Sequence, residues 1–322
     1  MSLERILLVR PRGFCAGVVR AVDIVEDALQ ITTPVYVRKE IVHNKHVVET
    51  LRQKGAIFVD ELEEVPDGTP QNPVVCIFSA HGVSPAVKAR AQEKNLFVID
   101  ATCPLVTRVH LQALRYAKQG FSIVLIGHPG HEEVEGTMGQ APHAMHLVAD
   151  LDDVRVLVLE NPDQVVVLSQ TTLSVDDTRE VSEALKAKFP NLTVPAKGDI
   201  CYATTNRQHA MKDLAPRCDL VLVVGAQNSS NSQRLREVAQ DCGTRAFLID
   251  DARNIRDEWF DQSVTTVGVS AGASAPEVLV EGVIEDLKKR GATQVELLDI
   301  IPEDVFFPLP KELKLLPMAI TA

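Results

Sequence analysis

Short apolar runs alternate along this chain with longer stretches in which apolar residues recur every three or four positions, the pattern of strands followed by helices in an α/β protein. Val18, Val22, Val25 and Leu29 mark one face of a helix that opens at Cys15 in "GFCAGVVRAVDIVEDAL". Helices of the same kind are predicted to open at Cys103 in "ATCPLVTRVHLQALRYA" and at Cys201 in "DICYATTNRQHAMKDLA", where the stripe is weakest and rests on Ala203, Met211 and Leu214. After each helix comes an apolar strand, "PVYV", "FSIVLIG" or "DLVLVVG", running into a polar tip, "HNKH", "HPGHEE" or "QNSSNS".

The register between these units is close. Cys15 to His43 is 28 residues, Cys103 to His131 is 28, and Cys201 to Asn228 is 27. A second strand in each unit ends at Asp60, Asp150 or Asp250, and a third leads into Ser79, Ser169 or Ser270. Four landmarks repeating in order predict three pseudo-symmetric α/β modules, each a small parallel-rich sheet with flanking helices. The expected division is residues 1–103 with the N-terminal strand, 104–199, 200–290, and a C-terminal segment 291–322. Ligands of open α/β sheets gather beyond the carboxyl ends of strands, so three modules that face one another would bring their tips and cysteines to one centre.

Composition narrows the class. The chain has 322 residues, is 45% hydrophobic and 24% charged, and carries a net charge of -11. That acidic balance argues against broad binding to nucleic acid or anionic membranes. Neither a secretory leader nor a run long enough to span a membrane is evident, so the expected location is cytoplasmic.

Six cysteines in a cytoplasmic chain are poor material for disulfides, and the absence of any C-x-x-C pair removes zinc ribbons, thioredoxin-like dithiols and the sequential ferredoxin pattern. Cys76, Cys218 and Cys242 read as core packing. Cys15, Cys103 and Cys201 share one place in three modules, at a helix N-terminus where the dipole favours a thiolate. Shared metal ligation explains the repetition better than a single nucleophile does. Zinc remains open at this point, although three thiols without a close-spaced fourth ligand favour an iron-sulfur cluster with one iron left for a substrate.

The stretches "RPRGFCAGV", "IVHN", "SAHGVS", "DATCPLV", "GHPGHEEVEGTMGQ", "SQTTLS", "ICYATTNRQ", "QNSSNS" and "SAGASAPE", taken in order, closely resemble the LytB/IspH family of 4-hydroxy-3-methylbut-2-enyl diphosphate reductases. The resemblance runs from residue 5 to about 310. It implies a monomer with three modules around a central 4Fe-4S cluster, ligated by Cys15, Cys103 and Cys201. It also implies the reductive loss of a hydroxyl as water from the small-molecule diphosphate, giving isopentenyl and dimethylallyl diphosphates, with reduced flavodoxin or ferredoxin as electron donor. By motif position Glu133 is the expected proton source, Thr171 its hydroxyl partner and His131 a further catalytic residue, and Thr171 and His131 are also expected to contact the substrate. His43, His81, Ser229, Ser230, Asn231 and Ser274 are expected to grip the diphosphate. Protonated histidines would strengthen those bonds.

Each motif has a plainer reading. His43 and His81 could be loop or capping residues, "NSSNS" a helix N-cap and "GASAPE" a turn of small residues. An N-capped helix start is also an anion site, so two of these readings are compatible. Pro129 and Gly130 rule out a zincin helix in "HPGHEE". Asp60, Asp150 and Asp250 are expected to end strands without a chemical role. Rival functions are a redox-neutral, cluster-dependent dehydratase of a phosphorylated substrate and a non-enzymatic iron-sulfur sensor. The sensor would need a basic patch or helix-turn-helix pattern, and neither is evident. No dinucleotide or P-loop signature occurs.

Overall fold

The computed structural model describes residues 3–316, so the last six positions of the expected C-terminal segment lie outside the described residues. An N-terminal strand β1 (Arg5–Arg10) precedes α1 (Ala16–Ile31), β2 (Val35–Arg38), α2 (Lys45–Gln53), β3 (Ala56–Val59), β4 (Val74–Phe78), α3 (Pro85–Glu93) and β5 (Leu96–Asp100). The second unit runs α4 (Pro104–Lys118), β6 (Ser122–Ile126), α5 (Glu132–Met138), β7 (Met145–Val148), α6 (Leu151–Val156), β8 (Val165–Ser169) and α7 (Val175–Lys188). The third runs α8 (Tyr202–Leu214), β9 (Leu220–Val224), α9 (Ser230–Asp241), β10 (Arg245–Ile249), β11 (Thr266–Ala271), α10 (Glu277–Lys289) and β12 (Gln294–Asp299).

Three sheets result, ordered β3-β2-β4-β5, β7-β6-β8 and β10-β9-β11-β1-β12. In each, the first strand after the cysteine helix is internal, the next pairs on one side and the third on the other. Every ladder between these strands is parallel. Parallel sheets are covered on both faces, and β9 shows how. Leu220, Leu222 and Val224 join a cluster with Val280, Val283 and Leu287 of α10, while Val221 and Val223 join Met211 and Leu214 of α8 and Leu235 of α9 on the other face. Burying one such side chain contributes about 1.5–3 kcal/mol. Cys76 is fully buried among Val59, Phe78 and Val83, in keeping with a packing role.

One arrangement departs from the expected division. β1 sits in the third sheet, between β11 and β12, rather than with the first module. Its alternation explains this. Ile6 and Leu8 fill one face of that sheet and Leu7 and Val9 the other, a two-sided burial that needs a central position. The C-terminal segment makes the reverse crossing: after β12 it brings Leu313 and Leu316 into the first module's core beside Val18 and Val37. Among the described residues no helix is long and apolar enough to cross a membrane.

Candidate functional site

Cys15, Cys103 and Cys201 occupy the N-cap positions of α1, α4 and α8. Each is docked by its backbone N–H on the strand-end loop of another module. Cys15 N donates to Ala273 O (3.2 Å), Cys103 N to Ala80 O (3.0 Å) and Cys201 N to Thr171 O (3.0 Å). The acceptors follow β11, β4 and β8, the equivalent strands of the three repeats, so the three cysteines sit where modules meet.

All twelve residues singled out by sequence line one cavity of about 690 Å³, at the carboxyl ends of strands from all three sheets. Its floor holds the cysteines and its walls carry the polar tips. A Cβ on Gly17 would lie 2.8 Å from the Cys103 sulfur and 3.8 Å from the Cys15 sulfur, so two thiols from different modules converge on space that only glycine leaves clear. A single zinc with bonds near 2.3 Å would bring its sulfurs within about 3.8 Å of one another. At least one pair of the three sulfurs lies wider apart than that. Among the described residues the group whose potential donor atoms all lie within 4.8 Å is His43, His81 and Glu132, and the cysteine trio is not one. Three converging thiols spaced too widely for one ion fit a multi-iron cluster.

The expected dipole effect on the thiols is overridden in the protein alone. Burial pushes Cys103 up to about 12 and Cys201 up to about 11, with the neighbouring thiols adding to the shift. A bound cationic group inverts this balance, because it stabilises the thiolate directly.

Glu133 is the most perturbed acid of the cavity. Burial raises its pKa to about 7 against the opposing pull of two Thr171 hydrogen bonds. Thr171 N donates to Oε1 at 2.6 Å and Thr171 Oγ1 to Oε2 at 2.9 Å. The N-cap of α5 places this acid: His131 Nδ1 accepts from Glu133 N at 3.1 Å, which fixes the proton on Nε2. The His131 pKa falls to about 3, chiefly through burial and then through His81 and His43.

The three imidazoles form a cluster, with His43 stacked on His81 at 4.1 Å and His131 edge-on to both at 5.3 and 5.9 Å. Burial and the nearby His43 also lower His81. The protonated form that would strengthen a bond to phosphate is disfavoured for His81 and His131 in the free protein. A dry, crowded site disfavours added positive charge, which holds both imidazoles below their usual range. Sequence reasoning missed the two carboxylates behind them. Glu40 Oε2 lies 3.1 Å from His43 Nδ1 and accepts from Asn228 Nδ2 at 3.0 Å, and Glu132 Oε2 lies 2.9 Å from His81 Nδ1. The hydrogen bond to His43 holds the Glu40 carboxyl below its usual range. Asn228 was visible as the register equivalent of His43 and His131, but its partner was not.

The remaining polar residues are engaged locally. Ser229 caps α9, accepting from Ser232 N at 3.4 Å. Ser230 Oγ donates to Thr172 O at 3.3 Å and Ser274 Oγ to His43 O at 2.9 Å, bonds a stronger acceptor can replace by rotation of the hydroxyl. Asn231 is tied at both ends, donating to Thr204 Oγ1 at 3.2 Å and accepting from Ala273 N at 2.8 Å. The plainer reading of "NSSNS" as a helix N-cap holds, and Ser229, Ser230 and Asn231 line the cavity as well.

The sequence profile described as "LytB protein" matches residues 6–288. The chain belongs to the LytB family. Among LytB relatives, a 4-hydroxy-3-methylbut-2-enyl diphosphate reductase of Pseudomonas putida (strain W619) is 56% identical over 315 residues, covering 96% of this chain and 98% of the relative. A reductase of the same name from Aromatoleum aromaticum is 55% identical, covering 98% and 99%. In solved structures, the E-1-hydroxy-2-methyl-but-2-enyl-4-diphosphate reductase from Plasmodium falciparum superposes with a TM-score of 0.92 at 38% identity, covering 97% of each chain. A second, (E)-4-hydroxy-3-methyl-but-2-enyl diphosphate reductase, the terminal enzyme of the non-mevalonate pathway, gives 0.61 at 31% identity, covering 89% of this chain and all of the other. LytB membership accounts for the three-module α/β fold, and the LytB family is one of iron-sulfur enzymes.

Proposed function

We infer that this chain reduces 4-hydroxy-3-methylbut-2-enyl diphosphate to isopentenyl and dimethylallyl diphosphates, the last step of the methylerythritol phosphate route to isoprenoids. Two electrons and two protons enter; the C–O bond breaks, one proton leaves with the hydroxyl as water, and the other ends on carbon. The observation that carries the reading is the convergence of three N-cap thiols and a buried Glu133, its carboxyl pushed well above the usual range, in one cavity of a LytB chain. A 4Fe-4S cluster on Cys15, Cys103 and Cys201, with one iron free of protein ligands, would supply the electrons and Lewis acidity.

Around that group the chain binds, orients and protonates. His43, His81, Ser229, Ser230, Asn231 and Ser274 receive the diphosphate, using N–H, O–H and amide donors and the N-terminus of α9. His131 donates its Nε2–H into the cavity. Protonated on Oε2, Glu133 gives its hydrogen bond to Thr171 Oγ1, which turns the threonine hydroxyl toward the departing oxygen. The pair thereby relays a proton to a leaving group that would otherwise depart as hydroxide. Reduced flavodoxin or ferredoxin delivers electrons to the monomer in the cytoplasm.

Replacing each cysteine by Ser and measuring iron, labile sulfide and turnover after anaerobic reconstitution tests this. Cys15, Cys103 and Cys201 variants are expected to lose the cluster, and Cys76, Cys218 and Cys242 variants to keep it. Full cluster in any of the first three removes that ligand. Product formation without a reductant would favour the dehydratase instead.

A further inference from the structure

Each cysteine helix carries an arginine shortly after its cysteine: Arg20 in α1, Arg108 in α4 and Arg207 in α8. Each of the three donates to the backbone that leads into the next cysteine of the repeat. Arg20 Nη1 donates to Ala101 O and Thr102 O, both at 3.2 Å, immediately before Cys103. Arg108 Nη2 donates to Gly198 O at 2.7 Å, ahead of Cys201, and lies 3.9 Å from Asp199. Arg207 Nη2 donates to Gly13 O at 2.7 Å, ahead of Cys15, which closes the circle. The C-terminal segment braces two of them. Pro308 O accepts from Arg20 Nε at 2.9 Å, and the Glu303 carboxylate accepts from Arg207 Nη1 at 3.1 Å.

We propose that Arg20, Arg108 and Arg207 are positioning residues in a directional ring that presets the three cysteine loops for one shared group, each arginine holding the loop that leads into the next cysteine. A planar guanidinium suits this task because it reaches several carbonyls in fixed geometry, which a lysine point charge does not. Arg20 and Arg207 are buried, so their bonds are shielded from water, and the charge of Arg207 is answered by Glu303. Arg108 is about one-third exposed and is the weakest link. Without the ring, three loops on separate sheets would each have to be ordered when the cluster is assembled.

The proposal rests on shared ligation by the three cysteines, and the experiment separates the two. Anaerobic holoenzyme is challenged with an iron chelator and an alkylating reagent, and modification of each cysteine is followed by peptide mass spectrometry. Arg20→Gln should speed alkylation of Cys103, and Arg108→Gln that of Cys201, relative to the other two thiols. About tenfold is expected for Arg20, the loss of a charge-assisted bond, and less for Arg108. Arg207→Gln should expose Cys15 first; because its removal leaves the Glu303 charge with only the Asn206 amide, Glu303→Gln serves as the milder variant with the same expected direction. Equal acceleration at all three cysteines, or none, overturns the ring even though wild-type iron content upholds shared ligation. Wild-type protein that reconstitutes without iron on these thiols overturns the ligation reading itself.

Discussion

Glu133 shows how one side chain can oppose stability and serve chemistry. Its pKa of about 7 in the fold lies above the ordinary carboxylate value, so between roughly pH 4.5 and 7 the native state holds a proton that the unfolded chain has released. Stability therefore falls as pH rises through that window, by up to about 3 kcal/mol. Glu133→Gln keeps the shape and removes the titration. It should unfold at higher denaturant than wild type at pH 8 and with little difference at pH 4, while turnover drops by about 10²–10⁴. In wild type, turnover should decline above pH 7 as the acid form is lost. Unchanged turnover in Glu133→Gln with full cluster would move the role to Glu132 or Glu135. At this scale the family resemblance marked the acid, through its place in "HEEVEG", and its partner Thr171, but not the burial that raises its pKa. Glu133 is buried by side chains of other elements, and its threonine partner is 38 residues away, a pairing no local pattern encodes.

At the scale of elements, helix N-termini organise the site. α1, α4 and α8 begin at the cysteines, α5 at His131 and α9 at Ser229, so five N-termini point donors at one cavity. The strands and helices were legible because parallel strands buried on both faces read as unbroken apolar runs. α8 read weakly for a physical reason: it buries Thr204, Arg207 and Gln208 along with its apolar residues, and a polar buried face leaves little stripe. The stripe of α1 was also slightly rotated, with Ala21, Ile24 and Ala28 in the core and Val22 and Leu29 at its margin. Gly17, in the first turn of α1, is the element-level test of thiol convergence. Gly17→Ala is favourable for an isolated helix by about 1 kcal/mol, yet its Cβ would meet the Cys103 sulfur at 2.8 Å. The variant should keep helix content by circular dichroism and lose most of its iron. Wild-type iron content would mean that the sulfurs do not share that space when the cluster is bound.

Over the whole molecule, the two chain ends exchange modules. β1 enters the third sheet before the chain crosses to build the first module, and the C-terminal segment leaves that same sheet through β12 and brings Leu313 and Leu316 into the first module's core. This crossing was not legible, because the repeat aligns what lies between cysteines and is silent about what precedes the first and follows the last. It has a mechanical consequence: the first and third modules are joined at two places by continuous chain, in addition to the contacts of their cysteine loops. Leu313 tests the second join. It is buried beside the first module's helix α1, on a segment whose only regular structure after β12 is a single short 3₁₀ turn among the described residues. Leu313→Ala should cost about 2–3 kcal/mol if the segment is a true part of that core, measured by urea unfolding with an unchanged slope. Because Pro308 and Glu303 lie on the same segment and brace Arg20 and Arg207, the variant should also release iron faster under chelator. A cost below 0.5 kcal/mol, the usual range for a surface substitution, would show instead that the segment merely lies against the molecule and that the first and third modules are held by β1 and the cysteine loops alone.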